Sequence, residues 1–446
     1  MNTKAVIKKI VPKAVLNLRH LFFAWYGAVK YKHPSKELLV IGITGTSGKS
    51  STVCFLRQLL EHAGFVVGSL STIDFYVAGE NKLNDKKMTM LGRFKLQSLL
   101  HEMVKAGCQY AVIEVSSEGI KQFRHLGINF DYAVFTNLTP EHIESHGSFD
   151  NYKRAKAKLF KRLSESKNKL IDGKTVTKTI LVNADDEHGD YYLEFKADKK
   201  IEFSLGGSEV SGFVATQLKV LPTGTSFVLN EQSVDLQLVG EFNVYNVLPA
   251  FVIGLEEGLT FSQIKGAVES VEVIPGRMET IDQGQNFYVI VDYAPEVASM
   301  DALYKTINKF KTDNELNINR IIHVFGSCGG GRDKDRRKKL GKIVGWHSDI
   351  AIVTNEDPYD DDPMEIIDEV ANGVLKRGKK ENQNLFKILD RKEAIAKALS
   401  LAKENDLVLV TGKGSEQAMA IKHGKYVQWD DREVIKDILN TNKESR

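Results

Sequence analysis

The segment Gly45-Thr46-Ser47-Gly48-Lys49-Ser50 joins an apolar run to an amphipathic stretch, and its residue types suit the holding of phosphates. Glycines let backbone amides come close to an anion, and a helix start adds its dipole. A lysine neutralises phosphate oxygens and a serine hydroxyl ligates magnesium. Lys49 and Ser50 fill the last two positions. The usual eight-position pattern wants glycine at 43, where this chain has Ile43, with Gly42 one residue early. A glycine-rich turn without nucleotide is the plainer reading, and Lys-Ser at the helix start speaks against it.

Glu114 closes the apolar run YAVIE, so a strand there would put its carboxylate at the edge where open α/β sheets gather ligands, facing the same magnesium as Ser50. An acid at that place can equally reach solvent. His142 and His146 in TNLTPEHIESHGS follow another apolar run, and a lone histidine is more often structural. Lys156 is more informative. In NYKRAKAKLFKRL the apolar stripe runs Tyr152, Ala155, Leu159, Phe160, Leu163 at helical spacing, and Lys156 falls inside it while Lys158 points away. An ammonium on an apolar face is desolvated unless it is paired or chemically altered, and the alternative is snorkelling to water. Further on, GGGRDKDRRKK sets six basic residues among the eight from Arg332 to Lys339, a phosphate or carboxylate site or a solvated helix start. TNEDPYDDDP and GKGSE each follow an apolar run and read as ligand-binding loops.

These groups need a scaffold. From Leu38 onward apolar runs alternate with helical patterns, which predicts a mostly parallel sheet covered by helices. Short strands with turns are expected around 200–240, then a helix ending at Gly258. After Pro275-Gly276 a second alternation begins. We therefore expect an α/β chain of three parts: a basic, aromatic helical segment over 1–37, a central P-loop ATPase-type domain over 38–275, and a smaller Rossmann-like domain over 276–446.

A length of 446 residues fits more than one domain, and 42% hydrophobic with 27% charged residues is an ordinary globular composition. The balance of 61 basic against 58 acidic residues leaves +3, too little for a protein that coats nucleic acid, so none is expected as partner. Cys54, Cys108 and Cys328 lack zinc or disulfide spacing and fit a reducing cytoplasm. The apolar run Leu21 to Val29 has nine residues, far short of the ~20 that span a bilayer. Residues 1–37 carry eight Lys/Arg and one acid around Phe22, Phe23, Trp25 and Tyr26. That pattern reads first as a basic helix docked on the domain and second as a peripheral contact with the cytoplasmic face of a membrane.

Taken in order, GITGTSGKSS, IEVSSEG, FTNLTPEH, YKRAKAKLF, GEFNVYN, PGRME, VDYA, GGGRDKDRRK, EDPY and GKGSE resemble the Mur ligase family, nearest its tripeptide synthetase branch, over about residues 38–433. The resemblance implies ATP-dependent amide ligation in peptidoglycan-precursor synthesis. The alternatives are a folylpolyglutamate-synthase-like ligase and a non-catalytic nucleotide-binding module. It implies ATP on Gly45, Thr46, Ser47, Gly48, Lys49, Ser50 and Ser51, lined further by Asn243, Asn246, Arg277 and Asp292. Magnesium would sit at Ser50 and Glu114, with a second ion near His142 and a carbamylated Lys156. Ser116 and Arg124 would touch the peptide-bearing carboxylate acceptor, while Arg332, Asp357, Gly412 and Glu416 would hold the incoming amino acid. Several positions depart from the pattern: Glu118, Glu141, Glu144, Pro295 and Ser415. Only 37 residues precede the first strand, so the branch's UDP-gripping domain is expected to be absent. Tyr359 stands where members adding meso-diaminopimelate carry an arginine. Asp360, Asp361 and Asp362 would then attract a cationic amino acid such as L-lysine, or else merely cap the following helix.

Overall fold

The computed structural model describes residues 13–84, 88–141, 143–206, 212–312, 316–331 and 334–444. Two sheets carry the fold. The first has eleven strands in the order Gln232–Leu236, Gly224–Leu229, Phe213–Leu221, Lys199–Ser204, Thr179–Asn183, Tyr132–Phe135, Leu39–Thr44, Tyr110–Glu114, Val67–Leu70, Asp74–Val77, Glu80–Leu83. Its centre is parallel and the strands at both margins are antiparallel. The short strands expected around 200–240 extend this same sheet. The second sheet has six strands, in the order Glu279–Thr280, Tyr288–Asp292, Leu407–Thr411, Ile321–Phe325, Ile350–Thr354, Leu385–Ile388, parallel except for the first.

Side chains alternate across each strand, so each sheet buries a core on both faces. Leu39, Ile41 and Ile43 enter one core with the helix Lys49–His62, while Val40 enters the other with Phe130 and Leu159. This register explains the missing loop glycine. Ile43 is still strand, paired with Glu114 and Val134 and fully buried, so the phosphate loop starts two residues later, at Gly45. Gly42 serves packing: a Cβ there would meet Phe130 at 2.8 Å and Leu159 at 2.9 Å.

The helix Phe149–Glu165 begins at Ser148, whose side chain accepts a bond from the Asn151 amide, and buries Tyr152, Ala155, Lys156, Leu159, Phe160 and Leu163 as the stripe requires. The helix Glu241–Glu256 is apolar nearly all round and packs against Lys49–His62. At the other end of the chain, the helix Lys13–Lys30 rests on Arg93–Lys105 through Ala24, Gly27 and Ala28. Among the described residues no helix is long and apolar enough to cross a membrane.

Candidate active site

The turn between Thr44 and Lys49 is held by the strand-end loop after Phe135. The Thr46 amide donates to Asn137 O at 2.8 Å, the Ser47 amide to Asn137 Oδ1 at 2.9 Å, and Thr136 Oγ1 to Ser47 O at 2.7 Å. Two glycines are required there. A Cβ on Gly45 would meet Thr136 Oγ1 at 1.9 Å, and one on Gly48, whose φ is 84°, would meet Asn246 Oδ1 at 2.2 Å. A cradle this tight, with Lys49 opening a helix behind it, fits a nucleotide's phosphates.

At the rim of the cradle Ser50 Oγ donates to Glu114 Oε2 at 2.7 Å, and the Thr72 amide donates to the same oxygen at 2.8 Å. Lys49 Nζ lies 3.9 Å from Glu114 Oε1 and donates to Thr46 O at 2.8 Å. A hydroxyl and a carboxylate already in contact are the donor set a hard divalent cation takes. Burial lowers the Lys49 ammonium's pKa, while Glu114, and Glu296 from the second sheet's side, pull it back up.

Lys156 does not snorkel. It is 1% exposed, its Nζ donates to Gly45 O at 2.5 Å and lies 4.4 Å from the Tyr152 ring centre, and it forms no ion pair among the described residues. Burial first, and then the Lys49 charge, drive its pKa well below the usual lysine value, with Glu114 opposing.

The junction residues converge on the same place. Asn246 Nδ2 donates to Asn243 Oδ1 at 3.3 Å, both being buried on the helix beside Gly48. Arg277 acts electrostatically on Lys49, and its guanidinium lies 4.6 Å from the Tyr293 ring centre. Asp292 accepts the Met278 amide at 2.7 Å; burial raises its carboxyl pKa and Arg277 counters that. Ser116 and Arg124 are engaged with their own chain. Ser116 Oγ accepts the Gly119 amide at 3.2 Å, and Arg124 bonds Met90 O and Gln122 Oε1, leaving its Nε buried without a partner. His142 and Arg332 lie outside the described residues.

In the second sheet the strand-end loops meet around a buried lysine that the sequence reading passed over. Lys413 is fully buried, with Nζ 3.2 Å from both Asp357 oxygens, 2.7 Å from Glu416 Oε2 and 2.6 Å from Ala418 O. Beside it Cys328 Sγ donates to Glu356 Oε1 at 2.8 Å, and Gly412 leaves room for Glu356, which a Cβ would meet at 2.5 Å. Its signal was the GKG flank, since a lysine between two glycines after an apolar strand has little to do at a surface. Arg336, buried against Glu296 at 3.1 Å, was also missed, hidden in what looked like a solvated basic run.

The aspartate run is accounted for by the chain itself, which corrects the expectation of a cation-attracting patch. Asp362 caps Pro363–Leu375 by accepting the Met364 amide at 2.8 Å, Asp361 pairs with Arg337 at 3.3 Å, and Asp360 accepts the His423 amide at 2.8 Å.

A glycine cradle, a pair formed by Ser50 and Glu114, and a second α/β unit whose Glu296 acts on Lys49 fit a nucleotide-dependent transferase or ligase. Comparison with known proteins narrows this. Residues 43–254 match the Mur ligase middle domain and residues 276–414 the Mur ligase, glutamate ligase domain. A curated relative from Clostridium tetani, UDP-N-acetylmuramoyl-L-alanyl-D-glutamate--2,6-diaminopimelate ligase, is 33% identical over 415 residues, covering 92% of this chain and 79% of that protein. A solved structure of a ligase of the same description is 26% identical with a TM-score of 0.57, covering 91% of this chain and 79% of that one. The Mycobacterium tuberculosis folylpolyglutamate synthase superposes with a TM-score of 0.69 over 88% of this chain and 92% of its own, and at 16% identity it carries the fold alone. The chain belongs to the Mur ligase family, the ATP- and magnesium-dependent amide ligases of peptidoglycan-precursor synthesis.

Proposed function

We infer that this chain is an ADP-forming ligase that joins an amino acid to a carboxylate on a peptide-bearing acceptor. The name of the Clostridium tetani relative points to a muramoyl-dipeptide carboxylate as that acceptor. The acceptor carboxylate attacks the γ-phosphorus of ATP, the bond to the ADP oxygen breaks, and an acyl phosphate forms. The amine then attacks the acyl carbon, phosphate leaves, and the amine proton is lost as the amide closes. The loop amides from Gly45 to Ser51 and Lys49 position the phosphates and meet charge as it develops on the transferred group. Asn243, Asn246, Arg277 and Asp292 enclose the nucleotide. Ser50 and Glu114 would hold one magnesium and His142 would stand at a second, where bound metal would supply positive charge to the phosphate oxygens. Ser116 and Arg124 receive the acceptor, and Arg332, Asp357, Gly412 and Glu416 the amino acid.

Lys156 completes the metal site as a carbamate. Carbamylation needs a neutral amine, whose nitrogen lone pair attacks carbon dioxide with loss of a proton, and burial, which lowers the Lys156 pKa, favours that neutral form. The product is an anion in place of a buried amine that forms no ion pair among the described residues. The expected result is a carbamate carbon signal in the ¹³C spectrum of protein equilibrated with labelled bicarbonate, absent from Lys156→Ala. The same spectrum from both proteins would remove the assignment.

A further part of the reading is peripheral contact with the cytoplasmic face of a membrane. The helix Lys13–Lys30 docks through its small residues and turns Leu18, Phe22, Trp25 and Val29 to solvent.

The observation that carries the ligase reading is the meeting of Ser50, Glu114, Lys49 and Lys156 at one glycine cradle. The test is ADP release during a screen of muramoyl-peptide acceptors and amino acids, with mass spectrometry of the product. ADP release that depends on both substrates and yields an amide supports it. Turnover unaffected by Lys49→Met would remove it.

A further inference from the structure

The helix Lys13–Lys30 has two unlike sides. Ala24 and Ala28, each 1% exposed, face the protein, whereas Trp25, Leu18, Phe22 and Val15, on the opposite arc at helical spacing, are 51–66% exposed. Phe22 stacks on Tyr26 at 5.9 Å and tilts against Trp25 at 6.3 Å, which makes one continuous apolar ridge. Arg19 and Lys30 border it, and Lys13 to Lys36 includes no acid. A ridge of this kind costs solubility and gains nothing from the protein it rides on. Its aromatic and cationic content matches an anionic lipid surface.

Where the helix ends, Lys32 and His33 both take left-handed backbone, φ 56°, and turn the chain into the wall of a cavity of about 230 Å³. Ser35 fixes that wall by accepting the Asn129 amide at 3.1 Å and donating to Gly127 O at 3.5 Å. Gly127 lines the cavity and also touches the helix, since a Cβ on it would meet Ala28 Cβ at 2.9 Å. Three cations border the space, Lys36, Arg162 and Lys167; none is within ion-pair distance of an acid among the described residues, and Glu165 acts electrostatically on Arg162. The one acid there, Glu165, is 3.7 Å from Lys161. Arg162 is anchored through Nε to Ile128 O at 2.8 Å. The positive field is felt by His33, whose pKa is lowered by burial and then by Lys36 and Arg162.

We propose that the cavity walled by His33, Ser35, Lys36, Asn129, Arg162 and Lys167 is a headgroup site for an anionic phospholipid of the membrane on which the adjoining helix lies. The inference rests on the peripheral-membrane reading above. It adds a specific site to what would otherwise be diffuse attraction. Three cations around a concave pocket bind a phosphate monoanion or dianion, and the apolar ridge of the adjoining helix favours a phosphate that carries acyl chains over a free one.

The experiment is sedimentation of the full chain with phosphatidylcholine vesicles, with and without phosphatidylglycerol. Four variants are compared: Phe22→Ser with Trp25→Ser in the ridge, Lys36→Ala with Lys167→Ala at the cavity, Ser166→Phe filling the cavity without changing charge, and Lys309→Ala with Lys311→Ala as a remote charge control. Wild type is expected to bind the phosphatidylglycerol vesicles in a salt-sensitive manner. The ridge variant should bind neither kind. The cavity lysine variant should bind about 25-fold more weakly, roughly fivefold for each lysine near an anionic surface. Ser166→Phe should lose the preference for phosphatidylglycerol, and the control should match wild type. Soluble glycerol 3-phosphate should compete weakly; competition as strong as that of the vesicles would assign the site to free phosphate esters and overturn the lipid proposal. Absence of vesicle binding by wild type would overturn the membrane reading and the headgroup site together. Wild-type binding unaltered by Ser166→Phe, with cavity and control lysines equivalent, would overturn the headgroup site alone.

Discussion

Replacing Gly48 with alanine tests whether the phosphate cradle is set by close approach of Asn246. Two costs add. At φ 84° a side chain is held in left-handed backbone, about 1–2 kcal/mol for a residue other than glycine. The new Cβ would also stand 2.2 Å from Asn246 Oδ1, so Asn246 must move and surrender its 3.3 Å bond to Asn243, about 1 kcal/mol more. The expected loss is therefore about 2–3 kcal/mol. In an Asn246→Ala background the second cost has already been incurred, and Gly48→Ala should cost only about 1–2 kcal/mol. Urea unfolding of the four proteins of this cycle, without nucleotide, gives the coupling energy, and ATP titration of each shows whether the cradle still closes on phosphate. Equal costs in the two backgrounds, within about 0.3 kcal/mol, would refute the argument that Asn246 dictates the glycine.

Glu114→Gln keeps the shape of the side chain but removes the charge facing Ser50 and Lys49, so kcat should fall about 10²–10³-fold with unfolding unchanged, and near-native turnover would contradict the metal assignment. With Tyr359 in the arginine position and the three aspartates already engaged, a smaller neutral amino acid is the expected substrate; a tenfold advantage in kcat/KM for meso-diaminopimelate in a competition assay, about 1.4 kcal/mol, would overturn this. Buried His323, held by Tyr304 OH at 2.6 Å and Thr411 Oγ1 at 2.9 Å, has its pKa lowered by burial from 6.5 to about 3. Between those values the unfolded chain binds the extra proton, so stability should fall as pH drops below 6.5, by up to about 5 kcal/mol. His323→Gln should flatten the slope of unfolding free energy against pH over that window, and an unchanged slope would dismiss the histidine as its source.

The parallel strands, the helix carrying Lys156 and the ends of the strands were legible because each is written in local periodicity. Lys156 stood out because its position in an apolar stripe conflicted with its charge, and the structure resolves the conflict by burying it against Gly45 O. Ile43 looked like a defect only because a motif was counted without knowing the strand register, which keeps residue 43 in the sheet and starts the loop at Gly45. Lys413 and Arg336 escaped because their partners are remote in sequence: Asp357 is 56 residues from Lys413, and Glu296 is 40 from Arg336. No window along the chain contains both members. The aspartate run misled for a related reason. Three acids in a row read as one patch, but a turn followed by a helix start sends them to an arginine, a backbone amide across the fold and a cap.

The charge distribution bears on how the two units would divide the proposed reaction. The loop side is rich in cations that are only partly matched. Lys49 shares Glu114 with Ser50 and Thr72, and Arg277 adds to the same field. The second sheet's loops are the reverse. Glu356, Asp357 and Glu416 surround the single buried lysine Lys413, and burial together with Asp357 raises the Glu356 pKa. A cationic cradle lowers the cost of bringing a polyphosphate out of water, and an acid-rich pocket does the same for an ammonium. For that ammonium to become a nucleophile it must lose a proton, and a neighbouring carboxyl of raised pKa is suited to take it. Glu296 ties the halves together, since it pairs with Arg336 on one side and acts on Lys49 on the other. Seating of the second unit against the cradle would therefore bring the amine toward the acyl phosphate while Glu296 contributes to the charge balance around Lys49.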